Sequence, residues 1–315
     1  MNAGRATERR IRPVTHQPAS GRATLAGVGA IVLWAALALL TTLTGELPPF
    51  QVLATGFGVA GIAGIAFTAA HGAAGWRAWR APPPALALSV AGLFGYHALY
   101  FYSLKHAPAL EANLINYLWP LLIVLFSGLL PGMRLHGAQV LGALLGLASA
   151  LLLVTRGHGV GIDPAALPGY LAALAAAVTW AGYSVLNRRH AQVSSAAMVP
   201  ACLVVAALGA GAHLLFETTR APSPVQWGAL LAMGIGPVGA AFLLWDRGTK
   251  RGDIALLGSL SYLAPLLSTL LLVAAGQART HWTQALAIAL LMGGAWISVQ
   301  AGTRAARALR AEPAA

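Results

Sequence analysis

The sequence predicts an all-α membrane protein of ten transmembrane helices, arranged as two inverted five-helix repeats. Three observations carry that expectation. Only 9% of the 315 residues are charged, while 58% are hydrophobic. An ordinary soluble domain is about 25% charged, so too few charges are present to coat a soluble surface of this size. The apolar residues also fall into ten runs of about 20 residues, the length a helix needs to cross the bilayer core. Finally, YLWPLLIVL at 117–125 returns as YLAPLLSTL at 262–270, an offset of 145 residues.

The ten spans are expected at 23–44, 49–70, 85–105, 109–130, 136–155, 167–189, 195–215, 226–248, 253–275 and 281–301. Turns rich in Pro, Gly and charge separate them, among them GELPP, LLPGMR, TRGHGVGIDP and ETTRAPSP. The 36 glycines and 18 prolines lie among Leu, Ala and Val, as in membrane helices, which tolerate both. The first run is too long for the core of a signal peptide and has a partner in the second half: Trp34 in VLWAAL falls on Trp180 in VTWAGY. At the 145-residue offset Lys105 falls on Lys250, and Gln139 on Gln284. The chain therefore divides into a basic tail at 1–22, expected to be disordered, a first repeat at 23–155, a linker at 156–166, a second repeat at 167–303 and a basic tail at 304–315. The single cysteine, Cys202, lies in an apolar run and reads as a small core residue.

Five is an odd number, so the second repeat must enter the membrane from the opposite side to the first. With the N-terminus placed in the cytoplasm, sixteen of the twenty Lys and Arg residues fall on the inner side, and only Lys105, Arg156, Arg220 and Arg279 on the outer. The positive-inside rule thus puts both termini in the cytoplasm. Basic residues occur in small groups between spans and form no nucleic-acid patch. The expected partners are a small-molecule substrate and the lipid bilayer, with a monomer favoured.

Inverted repeats are a signature of secondary transporters, whose substrate sites lie near the midplane between the halves. Two five-helix copies of this kind resemble the EamA repeats of the drug/metabolite transporter superfamily. NYLWP (116–120), AAVTWAGYSVLNRRHA (176–191) and GSLSYLAPLLS (258–268) resemble YddG-type aromatic amino acid exporters more narrowly, across essentially the whole chain after residue 22. The resemblance implies export of aromatic amino acids through a bacterial inner membrane, from a cavity lined by both halves. The second copy departs from the first at Ala264, opposite Trp119, so that cavity is chemically asymmetric.

The polar and aromatic residues name the candidate site. Asn113, Asn116, Pro120 and Ser127 share one helical face, and an amide in hydrocarbon must be bonded or face a wet cavity. Whether that stripe is interhelical bonding or substrate recognition is open from the sequence. Pro120 and Pro265 remove helix hydrogen bonds at equivalent places and are candidate pivots, or merely packed kinks. Trp76, Trp79, Trp227 and Trp282, near span ends, read as interfacial anchors. Trp34, Trp119 and Trp180 are too deep for that belt. Tyr183 shares a face with Trp180, Tyr96 and Tyr100 share another beside His97, and Tyr117 adjoins Asn116. Ser259, Ser261 and Tyr262 complete the candidate set in the second copy. Such aromatic faces are either core packing or a lining offering ring stacking and cation–π attraction to an aromatic amino acid.

The acids lie at or near span ends, with Asp246 beside the boundary cations Arg247, Lys250 and Arg251. The candidates for an ionisable coupling group are His97, then Glu111 or Asp246. GFGVAG (56–61) and GALLG (142–146) match dinucleotide and dimerisation patterns, but inside spans they read as close helix packing. No nucleophile–base pair, metal motif or cofactor fingerprint stands out, and an enzyme is not expected. The alternatives left open are export of another metabolite or drug on this scaffold and, further away, a channel-like pore or an intramembrane enzyme.

Overall fold

The computed structural model describes residues 19–131, 133, 135–159, 163–277 and 282–311, with side chains described as far as Gln300. Residues 1–18 of the expected tail, Arg134, residues 160–162 of the expected linker, Arg279 and residues 312–315 lie outside that set. Among the described residues, ten helical spans are long and apolar enough to cross a membrane: α1 (Gly21–Thr44), α2 (Pro49–Ala70), α3 (Pro83–His106), α4 (Ala109–Ser127), α5 (Gly137–Thr155), α6 (Pro164–His190), α7 (Ser195–Phe216), α8 (Pro224–Arg251), α9 (Ile254–Ala274) and α10 (Trp282–Gln300). The last helix continues to Ala311. At the other terminus Gly21 and Arg22 are helical, although the sequence placed them in the tail. Ser20 caps that helix by accepting from the Ala23 N–H, and its own N–H bonds the Arg251 carbonyl, which draws the helix start onto the end of α8.

Local chemistry sets the other starts in the same way. Pro49 and Pro83 occupy the first turns of α2 and α3, where a missing N–H costs nothing. Ser223 and Gln226 form a reciprocal capping box on α8, and the Asp253 carboxylate accepts from Leu256 N at 3.0 Å to cap α9. Large apolar side chains remain exposed around the bundle, Leu25, Phe67, Leu129 and Leu214–Phe216 among them. Surface of this kind suits lipid rather than water.

The helices pair across the two halves rather than within them. α1 packs on α8, α2 on α7, α3 on α6, α4 on α9 and α6, and α5 on α10. The α5–α10 seam is made by Gly142 and Gly294, where a side chain on either would strike the carbonyl of the other. Gly61 lies against Leu203 of α7 in the same manner. GALLG and GFGVAG thus both belong to packing within the bundle.

Among the described residues four spans are interrupted, and α1 consists of Gly21–Trp34 and Leu37–Thr44, with its break directly after Trp34. α4 consists of Ala109–Asn116 and Trp119–Ser127, and α9 of Ile254–Leu260 and Leu263–Ala274. Each break lies just ahead of its proline, Pro120 or Pro265. In α8, Gly234–Ala240 forms a π-helical turn around Pro237. Widened turns of this sort recur at functional sites.

The bundle has two distinct ends. One gathers Arg22, Arg77, Arg80, Arg188, Arg189, Arg247, Lys250 and Arg251 and is called here the basic end. The far end carries Glu46, Glu217, Lys105 and Arg156. Glu217, at the close of α7, accepts from the Phe50 and Gln51 N–H groups at 3.0 and 3.2 Å and from His213 Nδ1 at 2.9 Å. It thereby caps α2 and ties the halves together there.

Candidate functional site

An aromatic cage fills the centre of the bundle, at the depth of the helix breaks. Trp34 of α1 stands edge-on to Trp119 of α4 (6.4 Å between ring centroids), to Trp180 of α6 (5.7 Å) and to Phe242 of α8 (5.9 Å), and lies 5.0 Å from Trp245. Its indole N–H donates to the Pro237 carbonyl at 3.0 Å, so the π turn of α8 holds the Trp34 ring. Trp245 stacks on Trp180 at 6.2 Å and donates from Nε1 to Ser184 Oγ. Such geometries favour the ring quadrupoles.

α3 supplies the next wall. Tyr96 lies 5.4 Å from Trp180 and stacks on Tyr100 at 6.0 Å. His97 bonds through Nδ1 to the Leu93 carbonyl and meets Phe57 and Phe242 edge-on. The Tyr100 hydroxyl donates to Asn113 Oδ1 at 2.6 Å. Asn116 donates from Nδ2 to the Tyr96 hydroxyl at 3.1 Å, while its Oδ1 is buried with no partner among the described residues. Tyr183 packs beside Trp180, its ring against Gly92 and its hydroxyl on Met198 Sδ.

The structure thus brings Trp34, Tyr96, His97, Tyr100, Asn116, Trp119, Trp180 and Tyr183 to one region. Tyr117 stands at its margin: the side chain lines a separate cavity of about 290 Å³ toward the far end, with Ala38, Arg156, Pro265, Ser268 and Thr269. Ser259, Ser261 and Tyr262 are not part of the cage. Ser259 bonds Ser298 of α10, Ser261 bonds the Leu257 carbonyl, and Tyr262 packs on Gly146 of α5 and donates to the Tyr117 carbonyl. Tyr262 belongs to a smaller core with Leu153, Leu266 and Leu291, and Ser259 and Ser261 are buried. Nor do Asn113, Asn116, Pro120 and Ser127 lie on one unbroken helix. The break at Tyr117 separates them, and Asn113 and Ser127 bond their own helix through Ala109 and Val124.

Phe242 and Trp245 escaped sequence reasoning, although the 145-residue offset places them on His97 and Tyr100. Their neighbour Asp246 is a candidate coupling group in the sequence, but one placed at a span end. Sequence position put Asp246 and Lys250 at a charged boundary, yet Asp246 is fully buried and the Lys250 side chain is 5% exposed. They bond each other at 2.9 Å. Asn187 of α6 donates to Asp246 Oδ1 at 2.9 Å, and Lys250 also donates to the Val193 carbonyl. Arg188 bonds the Thr249 and Gly252 carbonyls, and Arg251 bonds that of Ala191. This network joins the α3–α6 pair to the α1–α8 pair across the basic end, beside a cavity of about 10 Å³ at Ser89, room for one water. The repeat-related positions at the far end are built differently. Thr41, Thr42 and Lys105 are exposed, and the Thr42 hydroxyl bonds its own helix.

Comparison with known proteins agrees with this architecture. Residues 21–155 and 167–300 each match the EamA-like transporter family. The chain is 51% identical over 277 residues to the aromatic amino acid exporter YddG of Ancylobacter novellus, covering 88% of this chain and 96% of that one. It is 26% identical over 302 residues to the aromatic amino acid exporter YddG of Escherichia coli K12, covering 89% and 99%. A solved crystal structure with 51% identity superposes with a TM-score of 0.86, covering 90% of this chain and 98% of the other. Two matched repeats, ten spans and relatives aligned over nearly their full length make this chain a multi-pass membrane protein of the EamA-like transporter family.

Proposed function

We propose that this chain exports aromatic amino acids across a bacterial cytoplasmic membrane by alternating access, with the basic end and both termini inside. One observation carries the substrate assignment: the indoles of Trp34, Trp119, Trp180 and Trp245 meet at the interface between the halves, where inverted-repeat carriers bind their substrates. Aromatic faces stack on a phenyl or indole side chain and attract an ammonium group. The 51% identity to a named aromatic amino acid exporter supports the same reading.

The cage residues, with Tyr117 at its outer margin, are the proposed binding set, and Pro120 and Pro265 the proposed pivots. The bonded basic end and the cavity beyond Tyr117 support a conformation closed to the cytoplasm and approached from outside. Closing one end while opening the other means parting the α3–α6 pair from the α1–α8 pair at the cage. The test is uptake of labelled phenylalanine into proteoliposomes, with a pH gradient imposed or collapsed. Saturable flux that tryptophan and tyrosine compete for is expected. Absence of such flux for every aromatic amino acid would refute the assignment.

A further inference from the structure

We infer that Asn116 holds the ammonium group of the transported amino acid, so that the carrier selects compounds with a free primary amine beside an aromatic ring. This rests on the export reading above and adds a recognition element to it. The observation behind it is the Asn116 amide itself. The residue is 5% exposed, its Nδ2 is occupied by the Tyr96 hydroxyl, and among the described residues its Oδ1 has no donor within hydrogen-bond distance. Buried polar atoms are nearly always bonded, and one left open calls for a ligand or another explanation.

Three further features point to a cationic donor. Asn116 is the last residue of the first helix of α4, and helix C-termini favour positive charge. The residue four positions on is Pro120, which has no N–H to give to the Asn116 backbone carbonyl. One residue therefore presents two acceptor oxygens that the helix does not satisfy, and an ammonium group brings three N–H donors. Tyr96, whose hydroxyl the amide touches, lies 5.4 Å from Trp180, and Trp180 lies 6.3 Å from Trp119. An amine at Asn116 thus keeps its side chain among the indoles. The buried carboxylate of Asp246 is already engaged by Lys250 and Asn187.

The second half offers no counterpart. Ser261 stands at the position equivalent to Asn116, and its hydroxyl donates to the Leu257 carbonyl at 2.7 Å. The pseudo-symmetric cage therefore has one amine acceptor, and the substrate sits in one orientation.

The test measures the KM of phenylalanine and the inhibition constants of 3-phenylpropionate, which lacks the amine, and phenethylamine, which keeps it. Wild type is expected to prefer phenylalanine to 3-phenylpropionate by ~10-fold or more, the worth of a hydrogen bond to a charged donor. Asn116→Leu should raise the phenylalanine KM by ~10-fold and leave the 3-phenylpropionate constant unchanged. Asn116→Asp, of the same shape, should retain phenylalanine and phenethylamine, and it decides the matter if the leucine variant does not fold. Equal losses for both ligands, no loss, or an aspartate variant as impaired as the leucine one would overturn the ammonium site and leave aromatic export standing. A wild type that carries no phenylalanine would remove the export reading and the ammonium site together.

Discussion

Removing the Asn187 amide tests how the basic end is kept shut. Asn187 is buried and bridges α6 to α8 through bonds of 2.9 Å to Asp246 Oδ1 and 3.2 Å to Thr249 Oγ1. Asn187→Ala deletes both bonds and leaves the Asp246–Lys250 pair intact on α8. A hydrogen bond to a charged acceptor contributes about 1.5–3 kcal/mol, and about 1.4 kcal/mol is tenfold in an equilibrium. The closed state should therefore lose roughly 10-fold to 100-fold relative to one open at the basic end. The assay replaces Cys202, the single cysteine, by alanine and introduces Ser89→Cys at the small buried cavity of that end. An impermeant maleimide applied from the basic side should then label the introduced thiol at least ~10-fold faster with Asn187→Ala than without it. An unchanged rate in a normally folded variant would mean that these bonds do not hold the end closed.

Other outcomes follow from the same structure. Trp119→Ala or Trp180→Ala should cut phenylalanine flux by ~10-fold or more while the protein stays folded and inserted, since each removes ring faces from the cage; normal flux in both variants would take these indoles out of the site. Glu217→Ala strips the cap from α2 and should cost about 2 kcal/mol, read as a lower unfolding temperature in detergent. No shift would show that the α2 N-terminus finds other acceptors. Gly92→Ala puts a methyl into the ring of Tyr183 and should cost about 1–3 kcal/mol. Gly95→Ala, whose methyl meets Thr179 at an ordinary 3.6 Å, should be neutral or better. Equal behaviour of the two would refute the packing argument.

The spans and the repeat were legible because a bilayer demands long apolar runs and because nine residues around Pro120 and Pro265 nearly repeat. The cage was partly legible. Deep tryptophans stand out from interfacial ones, but Trp245 sits one residue before a cluster of charges that reads as a membrane boundary. An i,i+4 pair such as Asp246–Lys250 has the same sequence whether solvated or buried, and only the arrival of Asn187 and Val193 from α6 and its following turn distinguishes the cases. Ser259, Ser261 and Tyr262 were assigned from repeat position, and helical phase alone does not reveal that α5 and α10 cover that side of α9. The π turn left a trace in Pro237, a proline inside a span. Which neighbour would take the freed geometry, here the Trp34 indole, depends on a contact 203 residues away.

The pairing of helices across the halves bears on how the chain is made. Membrane helices insert first and associate afterwards. As the first five emerge, the main partners of α1, α2, α3 and α5, namely α8, α7, α6 and α10, have not yet been synthesised. The first half has no finished core to settle into, and consolidation must wait for the second. The covalent link between the halves adds little to a core made mostly of contacts between them. The two halves, expressed as separate polypeptides in one membrane, should therefore find each other and rebuild the bundle, while either half alone should be cleared by proteolysis.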